Sequence, residues 1–459
     1  MPAPLLPFDV LLQIFSYGFE TLVPYARVCR SWQIAVEAIT FADIHLESSS
    51  LRNFDKIIRS SNFVRCGHIR RIYFRIKLPK YSIEDRAQYE NELDRRCNNN
   101  VFTKAISALL QTLSSWPQQF NSSVALEIYA VCPSDFKACP DWDLRTVRIQ
   151  TYLAFPEKDI LDKRFESSYL KLVHNRLSSA GCIYSLKTLD REGFRRFAPS
   201  AISQIVSHLP RLQSLDLALN DDEPNDAQRD LLRDGFTMTS WPSSLRDLKL
   251  SYDGPTPKVN TDEALPYRSS PGKDSLSREL HGISHQLKSL TLYNIMIDPE
   301  LFWPTDSTWP ILERFTLFYQ PAMTSGTWYF DNDPDDNSHR KTGHEGRSSP
   351  TILHIHPNEH LQRLYLYAAR AAQCMPRLRW MELEAELGRG RVYYGDEFIE
   401  HRFEYNAWAG EAVWKGTSQW HLKDEVREAW HAAARSHGRD KALIKLFHSS
   451  PYWESWSLQ

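Results

Sequence analysis

Apolar and polar positions alternate along residues 70–80. Ile72, Phe74, Ile76 and Leu78 fall on one face, with Arg71, Tyr73, Arg75 and Lys77 between them. A period of two sends successive side chains to opposite faces of a strand, so the stretch predicts a half-buried strand with a basic outer face. A shorter apolar pattern recurs farther on. Leu209, Leu212, Leu215, Leu217 and Asn220 follow L-x-x-L-x-x-L-x-L-x-x-N spacing. Reduced copies stand at Leu245, Leu248 and Leu250, at Leu287, Leu290 and Leu292, at Leu312, Phe315 and Leu317, and at Leu378, Met381 and Leu383. Earlier candidates are Ile69, Ile72 and Phe74, then Leu144, Val147 and Ile149, with Leu126 and Ile128 as a further strand. Helical stretches at 106–117, 201–210 and 361–376 each end in Pro just before such a pattern. Proline stops a helix cleanly, so helix and strand alternate.

The N-terminus has a different period. Val10, Leu11, Ile14, Phe15 and Tyr17 form a helical stripe that Leu12 widens. Pro7 suits the first turn, Asp9 lies near the positive end of the helix dipole, and Gly18 is a stop signal. A second helix is predicted over 21–38, carrying Leu22, Tyr25, Ala26, Val28, Cys29, Trp32 and Val36. Two helices this short expose more apolar surface than they hide from each other. They either pack on the domain that follows or bind a partner.

The arrangement of Leu6, Pro7, Asp9, Ile14, Phe15, Val28, Cys29, Arg30 and Trp32 resembles the F-box, over roughly residues 4–45. Two departures are visible: Gly18 stands where the family usually has Leu, and Asp9 replaces the more frequent Glu. The resemblance implies a three-helix domain that binds the adaptor subunit of SCF ubiquitin ligases, and cullin through it. It further implies that Leu6, Pro7, Leu11, Ile14, Phe15, Val28, Cys29 and Trp32 contact or shape that interface. The later spacing resembles a leucine-rich repeat. Its centres at 215, 248, 290, 315 and 381 are 33, 42, 25 and 66 residues apart, so the array is irregular and carries long insertions. A non-repetitive, Leu-rich α/β domain is the alternative. The whole chain resembles a fungal F-box protein with a diverged repeat region.

The expected fold class is α/β, with an F-box domain at 1–45, an irregular repeat-like array at 46–390 and a Trp-rich capping subdomain at 391–459. That last part holds six of the fourteen tryptophans, among them Trp408, Trp414 and Trp430. A hairpin and then an amphipathic helix are predicted there. The polar, Pro- and Gly-rich stretches 252–281 and 331–350 read as long surface loops.

Composition narrows the function. Lys and Arg number 55 against 57 Asp and Glu, so no overall field favours nucleic acid or an anionic membrane. Seven scattered cysteines suit reduced thiols in the cytoplasm or nucleus better than a disulfide framework. The N-terminus lacks the charge pattern of a signal peptide. His354, His356 and His360 stand together without a matching Cys or carboxylate set, and Pro357-Asn358-Glu359 reads as a helix start. The Asp331, Asp333 and Asp335 run lacks the Gly and Glu of a calcium loop. Leu387–Val392 reads as a turn. No metal, cofactor or catalytic motif is expected. In repeat geometry the residues between the core leucines line one face, and Arg71, Tyr73, Arg75, Tyr293, Phe318 and Glu382 are candidates for binding a protein target. A scaffold without a ligase role is the alternative function.

Overall fold

The computed structural model describes residues 6–17, 21–61, 63–117, 123–136, 158–189, 194–220, 226–237, 240–253, 274–302, 307–332, 355–392, 395–416 and 421–448. The chain forms two compact units, one of Met1–Ala218 with Thr239–Leu245, the other of Leu219–Met238 with Arg246–Gln459. The helices at the N-terminus belong to the first unit.

The first unit opens with α1 (Phe8–Ser16) and α2 (Arg30–Thr40). The single helix predicted over 21–38 is instead a 3-10 turn at Tyr25–Arg27 followed by α2. Cys29 breaks it with extended backbone, φ −162° and ψ 174°. Five parallel strands follow in the order β1 (Asp43–Glu47), β2 (Arg71–Lys77), β3 (Val124–Val131), β5 (Ile183–Thr188) and β7 (Ser214–Asn220). Between them lie α3 (Leu51–Ser60), α4 (Glu92–Ser114), α5 (Lys158–Phe165) and α6 (Pro199–Val206), with a small pair of β4 (Tyr169–Leu170) and β6 (Arg196–Phe197). Register sets Ile72 beside Leu126, Leu126 beside Leu186 and Leu186 beside Leu215. All four are at most 2% exposed. A slip of one residue would turn this ladder to solvent, which pins the pairing.

A charged cluster lies inside the same unit. Arg195 donates from Nε to Asp135 at 3.2 Å and from a terminal nitrogen to Glu90 at 3.2 Å and Ser168 at 3.0 Å. The Tyr81 hydroxyl donates to Asp135, and Asn98 donates to Glu90. The three charged side chains are at most 3% exposed.

The second unit contains α7 (Asp226–Thr237), β8 (Asp247–Asp253), α8 (Ser275–Ser284), β9 (Ser289–Ile295), β10 (Arg314–Tyr319), β11 (Phe330–Asn332) and β12 (Ile355–Pro357). It continues with α9 (Glu359–Gln373), β13 (Trp380–Val392), β14 (Gly395–Asn406), β15 (Glu411–Gly416), α10 (Asp424–Ser436) and β16 (Leu443–His448). Its main sheet runs β8-β9-β10-β13-β14-β15-β16, and only β14 is antiparallel to its neighbours among these strands. Leu250, Leu292, Leu317 and Leu383 stand side by side and fully buried. The Asn358 side chain accepts from the His360 amide and starts α9, as the Pro-Asn-Glu sequence predicts. The expected turn at 387–392 is instead the end of β13, paired to β14 across a register shift after Glu386. Two glycines there mimic a turn, but the cross-strand hydrogen bonds of a long hairpin outweigh their weak local preference. Gly18, Cys139, Leu144, Val147, Ile149, His354, Trp420, Trp453 and Trp456 lie outside the described residues.

The predicted hairpin and helix are β14–β15 and α10. Their tryptophans are mostly internal: Trp414 and Trp430 each lie 4.5 Å from the Phe403 ring and are at most 2% exposed. His401 is buried beside Phe330 and Tyr365, and a Cβ on Gly416 would meet its Nδ1 at 2.5 Å. Burial pushes His401 down to about 3 from the ordinary 6.5. The depressed native value means that only the unfolded chain takes up this proton as the pH falls below 6.5. Stability from this site is therefore complete above pH 6.5 and shrinks by about 1.4 kcal/mol per pH unit between there and pH 3. His401→Leu is expected to flatten the urea-unfolding free energy against pH between 6.5 and 4.5 by that slope. An unchanged slope in the variant would contradict this role.

Candidate functional site

Two surfaces deserve a functional reading, one in each unit. The first is built on α1 and α2. Leu11 and Phe15, one helical turn apart, point inward and pack with Ala35 and Val36 of α2 into a small core. Trp32 stands edge-on to Phe15, with centroids 5.2 Å apart, and Tyr25 lies 5.7 Å from Phe15. The extended residue at Cys29 separates the 3-10 turn from α2, and both rings reach Phe15. Arg65 ties α2 to the following chain through Glu37 at 2.8 Å.

With that core closed, apolar side chains remain outside it. Leu6 is 46% exposed, Ile14 36% and Val28 59%, while Pro7 and Cys29 are also exposed. Phe8, Tyr17 and Val23 join them, residues that the sequence reading did not select. The eight residues implied for the adaptor interface thus divide. Leu6, Pro7, Ile14, Val28 and Cys29 present a surface, Leu11 and Phe15 hold it from beneath, and Trp32 is partly covered. The apolar pattern places Leu11, Ile14, Phe15 and Tyr17 on one predicted stripe; the structure splits it, turning Leu11 and Phe15 inward and leaving Ile14 and Tyr17 exposed.

The second surface is the outward face of β9, β10, β13 and β14. Register aligns Thr291, Thr316, Glu382 and Glu404 in one row, and Arg314, Trp380 and Asn406 in the next. With the leucines turned inward, these side chains other than Glu404 border an open trough of about 830 Å³. Tyr293 and Phe318 stack on its floor, their rings 4.7 Å apart and 6° from parallel. Lys249 lies 5.4 Å over the Tyr293 ring. Trp408, 81% exposed, lines the trough and has the Arg439 guanidinium 5.6 Å from its ring. Glu382 is held by Arg402 at 2.6 Å, so its charge is met within the sheet. Arg314 and Arg379 are exposed along the lining, and Arg379 reaches Glu313 only at 3.5 Å.

Of the six residues predicted to bind a target, Tyr293, Phe318 and Glu382 come together in this trough. Arg71, Tyr73 and Arg75 sit on β2 of the first unit. Tyr73 is 6% exposed there, packed into a core cluster with Tyr129, Val131 and Phe194, stacked on His45 at 4.5 Å and accepting from Arg71 at 2.9 Å. Arg71 also pairs with Asp43 at 3.8 Å, and Arg75 is half-buried. Arg314, Trp380, Arg379, Asn406 and Trp408 were not selected from sequence. The signal for Arg314 and Trp380 was present: each directly precedes an inward residue of an apolar repeat, so alternation turns it outward. Arg379, Asn406 and Trp408 come from the ends of β13 and β14, and only their pairing brings them in.

Among the described residues no group of three or more metal-ligating side chains gathers, and no helix is long and apolar enough to cross a membrane. Residues 3–41 match the F-box-like family, so the helical N-terminus is an F-box-like domain. Residues 348–451 match a family described as a family of unknown function (DUF6546). No curated protein matches the chain.

Proposed function

We propose that a chain with an F-box-like domain at residues 3–41 serves as the substrate-recognition subunit of an SCF-type ubiquitin ligase. In this reading Leu6, Pro7, Ile14, Val28 and Cys29 dock the adaptor, and cullin joins through it. The observation that carries the reading is the exposure of apolar side chains beside a core that is already complete. Surface of that kind marks an interaction site when family resemblance points the same way. The second unit then acts as an irregular array of leucine-rich-repeat type, closed by its Trp-rich end, and its trough receives a protein target. No catalytic residue is needed, because holding a target lysine near the charged conjugating enzyme raises its effective concentration. The protein acts in the cytoplasm or nucleus, where such ligases meet their targets.

The test is affinity capture of the full chain under proteasome inhibition, beside an Arg314→Glu/Arg379→Glu variant. Adaptor and cullin are expected with both proteins. Ubiquitin-modified species are expected to fall at least tenfold with the variant, since reversing two exposed cations inverts the field of the trough. An intact chain that captures no adaptor would sink the ligase reading. Equal capture of modified species would remove the trough from it.

A further inference from the structure

His281 and His285 lie one turn apart at the end of α8, on the same face of the helix. Each ring is oriented by a backbone carbonyl: His281 Nδ1 lies 3.1 Å from the Leu301 oxygen, and His285 Nδ1 lies 2.7 Å from the Thr308 oxygen. Carbonyl oxygen only accepts, so both Nδ1 atoms carry their protons. The two Nε2 atoms then face each other, 3.3 Å apart. Three contacts need three donated protons, and two neutral imidazoles own only two. The gap between the Nε2 lone pairs therefore calls for a cation.

We propose that His281 and His285 form a two-imidazole site for a zinc-class divalent transition metal. Two nitrogens bound at about 2.0–2.1 Å in a tetrahedral arrangement stand about 3.3 Å apart, which is the separation seen. Histidines at i and i+4 of a helix chelate zinc in that way. Carbonyl oxygens on the opposite ring nitrogens are the usual outer partners of metal-bound histidine, fixing the tautomer and raising ligand basicity. Trp309 braces the pair, its ring stacked 4.8 Å from His285 and edge-on to His281 at 5.4 Å, with its Nε1 anchored to Ser284. The remaining coordination positions belong to water or to a ligand brought by a partner. Imidazole selects zinc, copper or nickel over magnesium and calcium, which prefer oxygen.

The experiment is calorimetric titration of the metal-free full chain with zinc chloride near neutral pH, repeated in excess magnesium. One zinc site that magnesium leaves unchanged is expected, with a rise in melting temperature on loading. His281→Gln and His285→Gln should each weaken that site at least tenfold. If His281→Gln does not fold, the half-exposed His285→Gln carries the test alone. No zinc uptake, or uptake that neither substitution affects, overturns the proposal. So does nitrogen-15 NMR showing a shared Nε2 proton that zinc does not displace.

Discussion

Ile14→Asp and Val28→Asp are each expected to weaken adaptor capture at least a hundredfold while leaving the melting temperature within a degree or two of the parent. Both side chains are exposed, at 36% and 59%, so a carboxylate there stays in water in the free protein. On docking it would be stripped of water against an apolar partner surface without a counter-charge. Hot-spot losses of about 3 kcal/mol correspond to roughly a hundredfold in affinity. Leu11→Ala and Phe15→Ala should lose the adaptor by a different route. These residues are 1% and 3% exposed, and truncating buried side chains of their size costs about 2–5 kcal/mol. Amide hydrogen exchange in α2 separates the two classes. It should accelerate in the alanine variants and stay at the parent rate in the aspartate variants. Aspartate variants that still capture the adaptor would place the docking surface elsewhere.

The second large effect is expected at Arg195→Met. The guanidinium bridges Glu90 and Asp135 in a site from which water is excluded, and the three side chains are at most 3% exposed. Removing one partner of a buried ion pair strands the opposite charge and typically costs about 3–5 kcal/mol. Here two carboxylates are stranded, and they also repel each other. Against a typical total stability of about 5–15 kcal/mol, the first unit should become marginal at neutral pH. The deficit should shrink in mildly acidic buffer, because burial already raises the Asp135 carboxyl and without the guanidinium it takes a proton more readily. Urea unfolding of parent and variant at pH 7 and pH 5.5 measures this directly. A variant as stable as the parent at pH 7 would show that the cluster is not a keystone of the unit.

Legibility differed between the two surfaces for a physical reason. In α1 the apolar spacing is local and marks a helix, but it puts Leu11, Ile14 and Phe15 on one stripe, and packing against α2 separates the inward pair from the outward residue. The F-box-like reading of residues 3–41 rests on such short-range order. The strand positions were equally local: Ile72, Leu126, Leu215, Leu248, Leu290, Leu317 and Leu383 all turned inward, as apolar residues of a two-residue period must. The helix predicted over 21–38 failed at Cys29. Pro24 cannot continue a helix from 21 and stands at the start of the 3-10 turn, and packing of Tyr25 and Trp32 on Phe15 favours the break that follows.

The sequence by itself determined the first helix, the strands that carry the apolar repeats and the inward face of those strands. These follow from periods of two and 3.6 residues, which need no knowledge of neighbours. Only the tertiary structure decided which outward residues meet. It joined Tyr293, Phe318, Glu382 and Trp408 in one trough, buried Tyr73 among Tyr129, Val131 and Phe194, and gathered Glu90, Asp135 and Arg195 from distant segments. Strand order and register set those meetings. Both are settled by the sum of many buried contacts and not by any short stretch of chain.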